Sequence, residues 1–93
     1  MPTANVRDAA IYYTDEGAGE PILFIPGRTW DHTLWDSQVA ALKGSYRCIA
    51  VDLIGHGQTP DVDHEYSFFD LADYMAAFLH SIGIPAAHIA GLS

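Results

Sequence analysis

The sequence predicts an α/β fold with a mostly parallel sheet, an N-terminal antiparallel hairpin and two flanking helices. Short apolar runs at 22–25 and 46–51 lack the alternation of a half-exposed strand, which is typical of parallel strands buried on both faces. Segments with helical spacing of apolar residues alternate with these runs. That order favours right-handed crossovers and hence a parallel sheet.

Strands are predicted at 3–6, 10–14, 22–25, 46–51 and 88–90. The first two read as a hairpin with a turn around Arg7 and Asp8. Pro26 and Gly27 end the third strand, and Asp52 ends the fourth.

Helices are predicted at 34–42 and 67–82. Ser67 and Asp70 have the spacing of a capping box, and the apolar residues that follow share one helical face. Gly83 is placed to end the second helix. Because only two helices are predicted for a sheet that is apolar on both sides, we expect one sheet face to be largely bare.

Composition and charge set limits on the class of protein. The chain has 93 residues, 49% hydrophobic and 17% charged, which fits one globular domain. The net charge of −8 argues against a nucleic-acid or anionic-membrane partner. The single cysteine, Cys48, excludes an internal disulfide framework and a multi-cysteine metal site. No apolar run is long enough to span a membrane and no secretory signal is visible, so we expect a cytoplasmic location.

Functional residues of a parallel sheet gather in the loops beyond the C-terminal ends of its strands. Such loops are predicted at 26–30, 52–60 and 91–93. The last of them, Gly91-Leu92-Ser93, has the first half of the G-x-S-x-G nucleophile elbow, in which a tight turn pushes the serine Oγ outward. Taken alone, a Gly-x-Ser tripeptide is more often an ordinary structural serine.

The surrounding motifs change that interpretation. A strand ending in Pro-Gly within YYTDEGAGEPILFIPG is followed by W-x-x-Q-x-x-A-L, then by D-L-x-G-H-G-x-T, and finally by HIAGLS. In this order and spacing the chain resembles the N-terminal part of the α/β-hydrolase superfamily. In detail it resembles the small serine esterase, enol-lactonase and cofactor-free haloperoxidase-like members. The resemblance covers nearly all of residues 10–93.

The resemblance implies a role for two residues. Ser93 matches the nucleophile, and the backbone N–H of Arg28 matches half of the oxyanion hole. The family usually has His where this chain has Pro26, a departure that leaves the backbone role of Arg28 open but removes an imidazole that braces the loop. The loop at 52–59 is structural in the family. A serine in place of an aspartate at position 93 argues against the haloalkane dehalogenase and epoxide hydrolase branches, which attack with a carboxylate.

The five histidines are interpreted as structural or solvent-exposed side chains rather than as catalytic bases or metal ligands: His32, His56, His64, His80 and His88. His32 and His64 are expected in solvent, whereas His56 is expected to brace its loop. Cys48 is predicted to be an inert buried thiol. Pro60 stands where a dinucleotide motif would need glycine, and no metal-ligand spacing appears, so the sequence predicts no cofactor and no metal.

Family order places the triad acid and base after the nucleophile, and the second oxyanion donor follows it directly. We therefore expect residues 1–93 to form a single incomplete α/β-hydrolase domain, truncated at the nucleophile elbow and not competent alone. The implied parent is a serine hydrolase that acts on a small ester, lactone or related carbonyl substrate through an acyl-enzyme. The alternative is a non-catalytic truncated or split-gene chain that binds a complementary segment. Substrate identity and oligomeric state stay open.

Overall fold

The computed structural model describes residues 2–27 and 30–91. Its strands are β1 (Thr3–Val6), β2 (Ala9–Glu16), β3 (Glu20–Ile25), β4 (Tyr46–Val51) and β5 (His88–Gly91). Its helices are a short 3-10 helix (His32–Trp35), α1 (Asp36–Leu42) and α2 (Phe68–Ser81). The predicted order of strands and helices is confirmed.

The strands form a mixed sheet in the order β1-β2-β4-β3-β5. β1 and β2 form the predicted antiparallel hairpin, and β2 also pairs antiparallel with β4. β3 pairs parallel with both β4 and β5, with Ile22 opposite Cys48 on one side and His88 on the other. The C-terminal ends of these three strands therefore lie at one edge of the sheet, and β5 is an outer strand.

Each face of the sheet carries one helix, which corrects the expectation that one face would be largely bare. Successive residues of a strand point to opposite faces, so the apolar strands supply both cores. One core lies under α2 and includes Ile11, Leu23, Ile49, Val51, Tyr74, Met75 and Phe78. The other lies under α1 and includes Phe24, Val39, Cys48 and Ala50, with Trp35 against them. The outer strand remains less covered, since Ile89 is 59% exposed.

The predicted capping box fixes the start of α2. The Asp70 backbone N–H donates to Ser67 Oγ at 3.2 Å, and the Ser67 N–H donates to Asp70 Oδ2 at 2.8 Å. The helix ends before Gly83, whose φ of 80° suits glycine. Within residues 2–27 and 30–91 no helix is long and apolar enough to cross a membrane.

A polar cluster ties the hairpin turn to α2 and to the loop before it. His64 Nε2 lies 2.6 Å from Asp8 Oδ2, and His64 Nδ1 lies 2.9 Å from the Glu65 carbonyl oxygen. The Tyr74 hydroxyl donates to the other oxygen of Asp8. Both ring nitrogens of His64 face acceptors, so the doubly protonated ring suits the site best. The expected exposure of His64 is confirmed, since half of its side chain is open to solvent, but the ring also bonds Asp8.

His64 is expected to titrate above the usual imidazole value of 6.5. The Glu65 carbonyl and then the Asp8 carboxylate raise the pKa of His64, while Tyr74 and His64 lower the pKa of Asp8. Because the protonated ring is the paired form, its stabilisation is full below about pH 6.5 and is lost as pH rises through the raised folded-state pKa. An NMR titration of the ring measures this midpoint.

The control for this titration is Asp8→Asn, which removes the negative charge and leaves the Glu65 carbonyl in place. We expect the midpoint of His64 to fall toward the usual value in that variant. A wild-type midpoint at or below the usual value would contradict the geometry of the cluster.

Candidate active site

The C-terminal ends of β3, β4 and β5 bring three loops together. The parallel register pairs Ile25 with Gly91 and Phe24 with Ala50. Pro26 leaves β3 from this edge and is buried, as is Gly27 after it. The loops that follow β3, β4 and β5 therefore start from neighbouring points, as the sequence predicts for a functional edge.

The two predicted site residues, Ser93 and Arg28, lie outside the described residues, so their roles stay predictions. The structure does describe the ends of β3 and β5, which precede Arg28 and Ser93 in the chain. Gly91 pairs with Ile25. The Trp30 N–H donates to the Gly27 carbonyl at 3.3 Å. The described residues on either side of positions 28 and 29 are thus hydrogen-bonded to each other.

Asp52 is a fully buried carboxylate at the centre of this edge. Its Oδ1 accepts hydrogen bonds from the backbone N–H of His32 at 2.7 Å and from His32 Nδ1 at 2.8 Å. Its Oδ2 accepts from the Gln58 N–H at 2.8 Å. Burial of a charged group is costly unless its hydrogen-bonding capacity is satisfied. These donors offset that cost, and they join the loop after β3 to the loop after β4.

A second set of bonds ties the same loop to β2. Thr59 Oγ1 donates to the Asp52 carbonyl at 2.8 Å and accepts from the Tyr12 N–H at 2.9 Å. The Asp52 N–H donates to the Tyr12 carbonyl at 2.9 Å. His56 Nδ1 lies 2.9 Å from the Ile54 carbonyl and braces the loop as predicted. The loop at 52–59 is therefore a scaffold, in agreement with the role that the resemblance implies.

Gly57 makes the close approach to Asp52 possible. Its φ is +51°, and a Cβ there would lie 2.4 Å from Asp52 Cγ. Gly57→Ala is expected to lower the free energy of unfolding by about 3 kcal/mol or more, since a left-handed non-glycine residue alone costs about 1–3 kcal/mol. Chemical denaturation of the complete protein measures the change.

Two other glycines separate the two causes. Gly83 has a φ of +80° with open space around its Cβ position, so Gly83→Ala tests the backbone cost alone. Gly44 has open space and no positive φ, so Gly44→Ala is expected to be neutral or stabilising by less than about 1 kcal/mol. Equal losses at Gly57 and Gly83 would show that the contact with Asp52 costs nothing.

His32 is the functional candidate that sequence reasoning missed. It was expected in solvent, but its side chain is only 16% exposed and bonds Asp52. Its ring also packs against Tyr12, with ring centroids 5.2 Å apart at 55°. The signal in the sequence was Asp52 itself, because a carboxylate that directly follows a buried strand needs donors from a neighbouring loop.

A cluster of possible metal ligands lies at this edge, although the spacing of residues in the sequence did not indicate it. Its ligand atoms lie within 4.8 Å of one another and come from Asp31, His32 and Asp52. All three side chains already have partners. Asp31 Oδ1 accepts from the N–H and hydroxyl of Thr33, and these bonds lower the pKa of Asp31. A metal ion would have to displace these bonds and those to Asp52. We assign no ligand role to the cluster, and the absence of metal and cofactor stays a prediction.

The remaining histidines and the cysteine have structural surroundings. His80 is exposed on α2, and His88 Nε2 lies 2.9 Å from Glu20 Oε2 on the surface. Cys48 is completely buried, and burial raises the pKa of its thiol. The predicted burial of this thiol is confirmed, and a buried, protonated thiol is expected to be unreactive.

An apolar groove, open to solvent, runs between α2 and the outer part of the sheet. Its volume is about 550 Å³. Its lining comes from the strands and loops through Leu23, Ile25, Pro26, Leu53 and Ile89, and from α2 through Phe68, Leu71, Ala72, Met75, Ala76 and Leu79. Pro26 belongs to the loop that follows β3, and Leu53 belongs to the loop that follows β4. The groove therefore reaches the edge of the sheet that carries the candidate site.

The fold and this edge together define a class of protein. A family model described as alpha/beta hydrolase fold matches residues 20–93. The chain belongs to the α/β-hydrolase superfamily, which confirms the resemblance seen in its motifs and the fold predicted from it.

Three individual proteins show which kinds of enzyme this chain is similar to. The chain is 36% identical over 80 residues to a haloalkane dehalogenase of Mesorhizobium japonicum, covering 85% of this chain and 26% of that protein. It is 38% identical over 72 residues to 3-oxoadipate enol-lactonase 1 of Acinetobacter baylyi, covering 77% and 27%. A solved thermophilic esterase from Thermogutta terrifontis superimposes with a TM-score of 0.88 at 25% identity, covering 98% of this chain and 35% of the esterase. The chain thus spans about a quarter to a third of these relatives.

The similarity to a haloalkane dehalogenase bears on one expectation. A single residue, Ser93, distinguishes the chain from the branch that attacks with a carboxylate. Since Ser93 lies outside the described residues, the exclusion of carboxylate attack stays a prediction. Activity-based labelling of the complete protein would test this prediction.

Proposed function

We propose that this chain is the N-terminal part of a cytoplasmic serine hydrolase that acts on an ester, lactone or related carbonyl substrate through an acyl-enzyme. The observation that carries the proposal is the pairing of Ile25 with Gly91. The candidate oxyanion donor, Arg28, comes three residues after one member of this pair, and Ser93 comes two residues after the other. Membership of the superfamily and the similarity to an enol-lactonase and an esterase support the proposal.

The proposed reaction has two stages. Ser93 Oγ bonds to the substrate carbonyl carbon, and the carbonyl oxygen becomes an oxyanion that the Arg28 N–H stabilises. The carbon–oxygen bond to the leaving alcohol then breaks, and the leaving oxygen takes the proton that Ser93 lost. Water cleaves the acyl-enzyme by the same route. The resemblance implies that a histidine and an acidic residue after Ser93 move and balance this proton.

The proposal is tested by activity-based labelling of the complete protein with a fluorophosphonate, followed by mass spectrometry of the modified peptide. We expect one modification, on Ser93, and its loss when an ester substrate competes. Modification of another serine, or none in a preparation that hydrolyses esters, would overturn the assignment. Release of halide from haloalkanes without serine labelling would favour carboxylate attack instead.

The apolar groove favours a second candidate function, the binding of a complementary segment. The α2 residues that line it recur at helical spacing: Phe68, Leu71, Ala72, Met75, Ala76 and Leu79. From Phe68 to Leu79 this stripe covers roughly 16 Å, or three turns. Ala72 and Ala76 are small, so a second helix could approach closely between the larger side chains. The occupant we propose is an amphipathic helix of about three turns, which would cover Ile89 as well.

A further inference from the structure

The segment that carries the candidate oxyanion donor is anchored on both sides of positions 28 and 29. On the N-terminal side, Pro26 and Gly27 are buried directly after β3. On the C-terminal side, Trp30 bonds back to Gly27, and His32 bonds to Asp52 with both its backbone and its ring. A donor of an oxyanion hole works only if its N–H is held in place before the reaction.

The His32 ring supplies the one bond of this anchor that depends on which side chain stands at position 32. The backbone N–H of any residue at position 32 could reach Asp52, but only the side chain supplies the second bond at 2.8 Å. Because a carboxylate oxygen only accepts, His32 Nδ1 must carry the proton. The ring is enclosed by Tyr12 of β2 on one side and by Asp52 on another, with Asp31 next to it in the chain. Asp52 Oδ2 in turn accepts from the Gln58 backbone N–H at 2.8 Å, which holds the other side of the carboxylate.

We infer that His32 is a positioning residue for the oxyanion donor, acting through the buried Asp52; this inference rests on the proposed serine hydrolase function. His32 does not touch the substrate. It fixes the chain four residues after Arg28, on the C-terminal side of the segment that carries the candidate donor. A loss of position of about 1 Å at a reacting group can cost about a hundredfold in rate.

Three variants of the complete protein test the inference. His32→Leu keeps apolar contact with Tyr12 and removes the ring donor, whereas His32→Asn keeps an N–H near the position of Nδ1. His64→Leu is the matched control, because it removes another imidazole that is bonded to an aspartate, Asp8, and not to Asp52. For each variant we would measure kcat, KM, the melting temperature and the rate of fluorophosphonate labelling of Ser93.

We expect His32→Leu to lower kcat and the labelling rate by about tenfold to a hundredfold with KM within about threefold, as for an interaction made in the transition state. His32→Asn should restore kcat to within about threefold of wild type, and His64→Leu should leave kcat unchanged. If His32→Leu fails to fold, His32→Gln moves the donor by one methylene group and should show the same loss of kcat.

Several results would overturn the inference. They are an unchanged kcat in His32→Leu, an equal loss of kcat in His64→Leu, a change confined to KM, or no recovery in His32→Asn. The failure of the proposed function is distinguishable, because wild-type protein would then show no labelling of Ser93. If wild type and His32→Leu are labelled at the same rate, the serine hydrolase stands and only the positioning role fails.

Discussion

Replacement of Ser93 by alanine is expected to lower kcat of the complete protein about a millionfold, the size of effect seen when a catalytic serine is removed. In the proposed mechanism no other group can supply the oxygen that forms the acyl-enzyme. Steady-state hydrolysis of a chromogenic ester measures the loss, and KM is expected to change little. Fluorophosphonate labelling should disappear in parallel.

Ser81→Ala is the matched control for this variant. Ser81 Oγ donates to the Phe78 carbonyl at 2.7 Å near the end of α2, away from the loops that carry the candidate site. We expect its kcat to equal that of wild type. Activity of Ser93→Ala within a hundredfold of wild type would exclude Ser93 as the nucleophile.

The sequence predicted the fold well because its elements are specified locally. Apolar runs without alternation required strands buried on both faces, and β3 and β4 are such strands. The capping box at Ser67 and the glycine at position 83 set the limits of α2 by local hydrogen bonds and backbone freedom.

The sequence did not predict that the two helices would lie on opposite faces of the sheet. The spacing of apolar residues indicates that a helix has an apolar face. It does not indicate which side of the sheet that face covers. The structure places Val39 of α1 and Phe78 of α2 in different cores. That arrangement depends on the crossovers between strands, which are properties of the whole chain.

The candidate site was predicted only in part for a similar reason. The resemblance implies roles for Ser93 and Arg28, but it does not identify the side chains that hold their loops. The bond between His32 and Asp52 joins residues 20 positions apart through the order of the strands. A lone histidine in a polar loop is usually solvated, and only the buried charge of Asp52 makes this one structural.

The 93-residue chain alone is expected to self-associate and to unfold without a sharp transition. Two surfaces lead to this expectation: the apolar groove along α2 and the outer strand β5, where Ile89 is 59% exposed. In the part of the chain that the structure describes, β5 pairs with no strand but β3, and its sequence HIAG has no lysine or proline to discourage another strand. A few hundred Å² of uncovered apolar surface corresponds to roughly 5–10 kcal/mol, as much as the whole stability of a typical domain.

Ile89→Lys tests the cause of this association, because it places a charge both on the outer strand and in the groove. We expect the variant to shift the chain toward monomer in size-exclusion chromatography with light scattering. Ala40→Lys is the control, since it makes the same change of net charge at an exposed position of α1. If both lysines act equally, general repulsion and not the outer strand governs association. A monodisperse 10.1 kDa monomer of the unaltered chain with sharp, cooperative thermal unfolding would show that these surfaces need no partner.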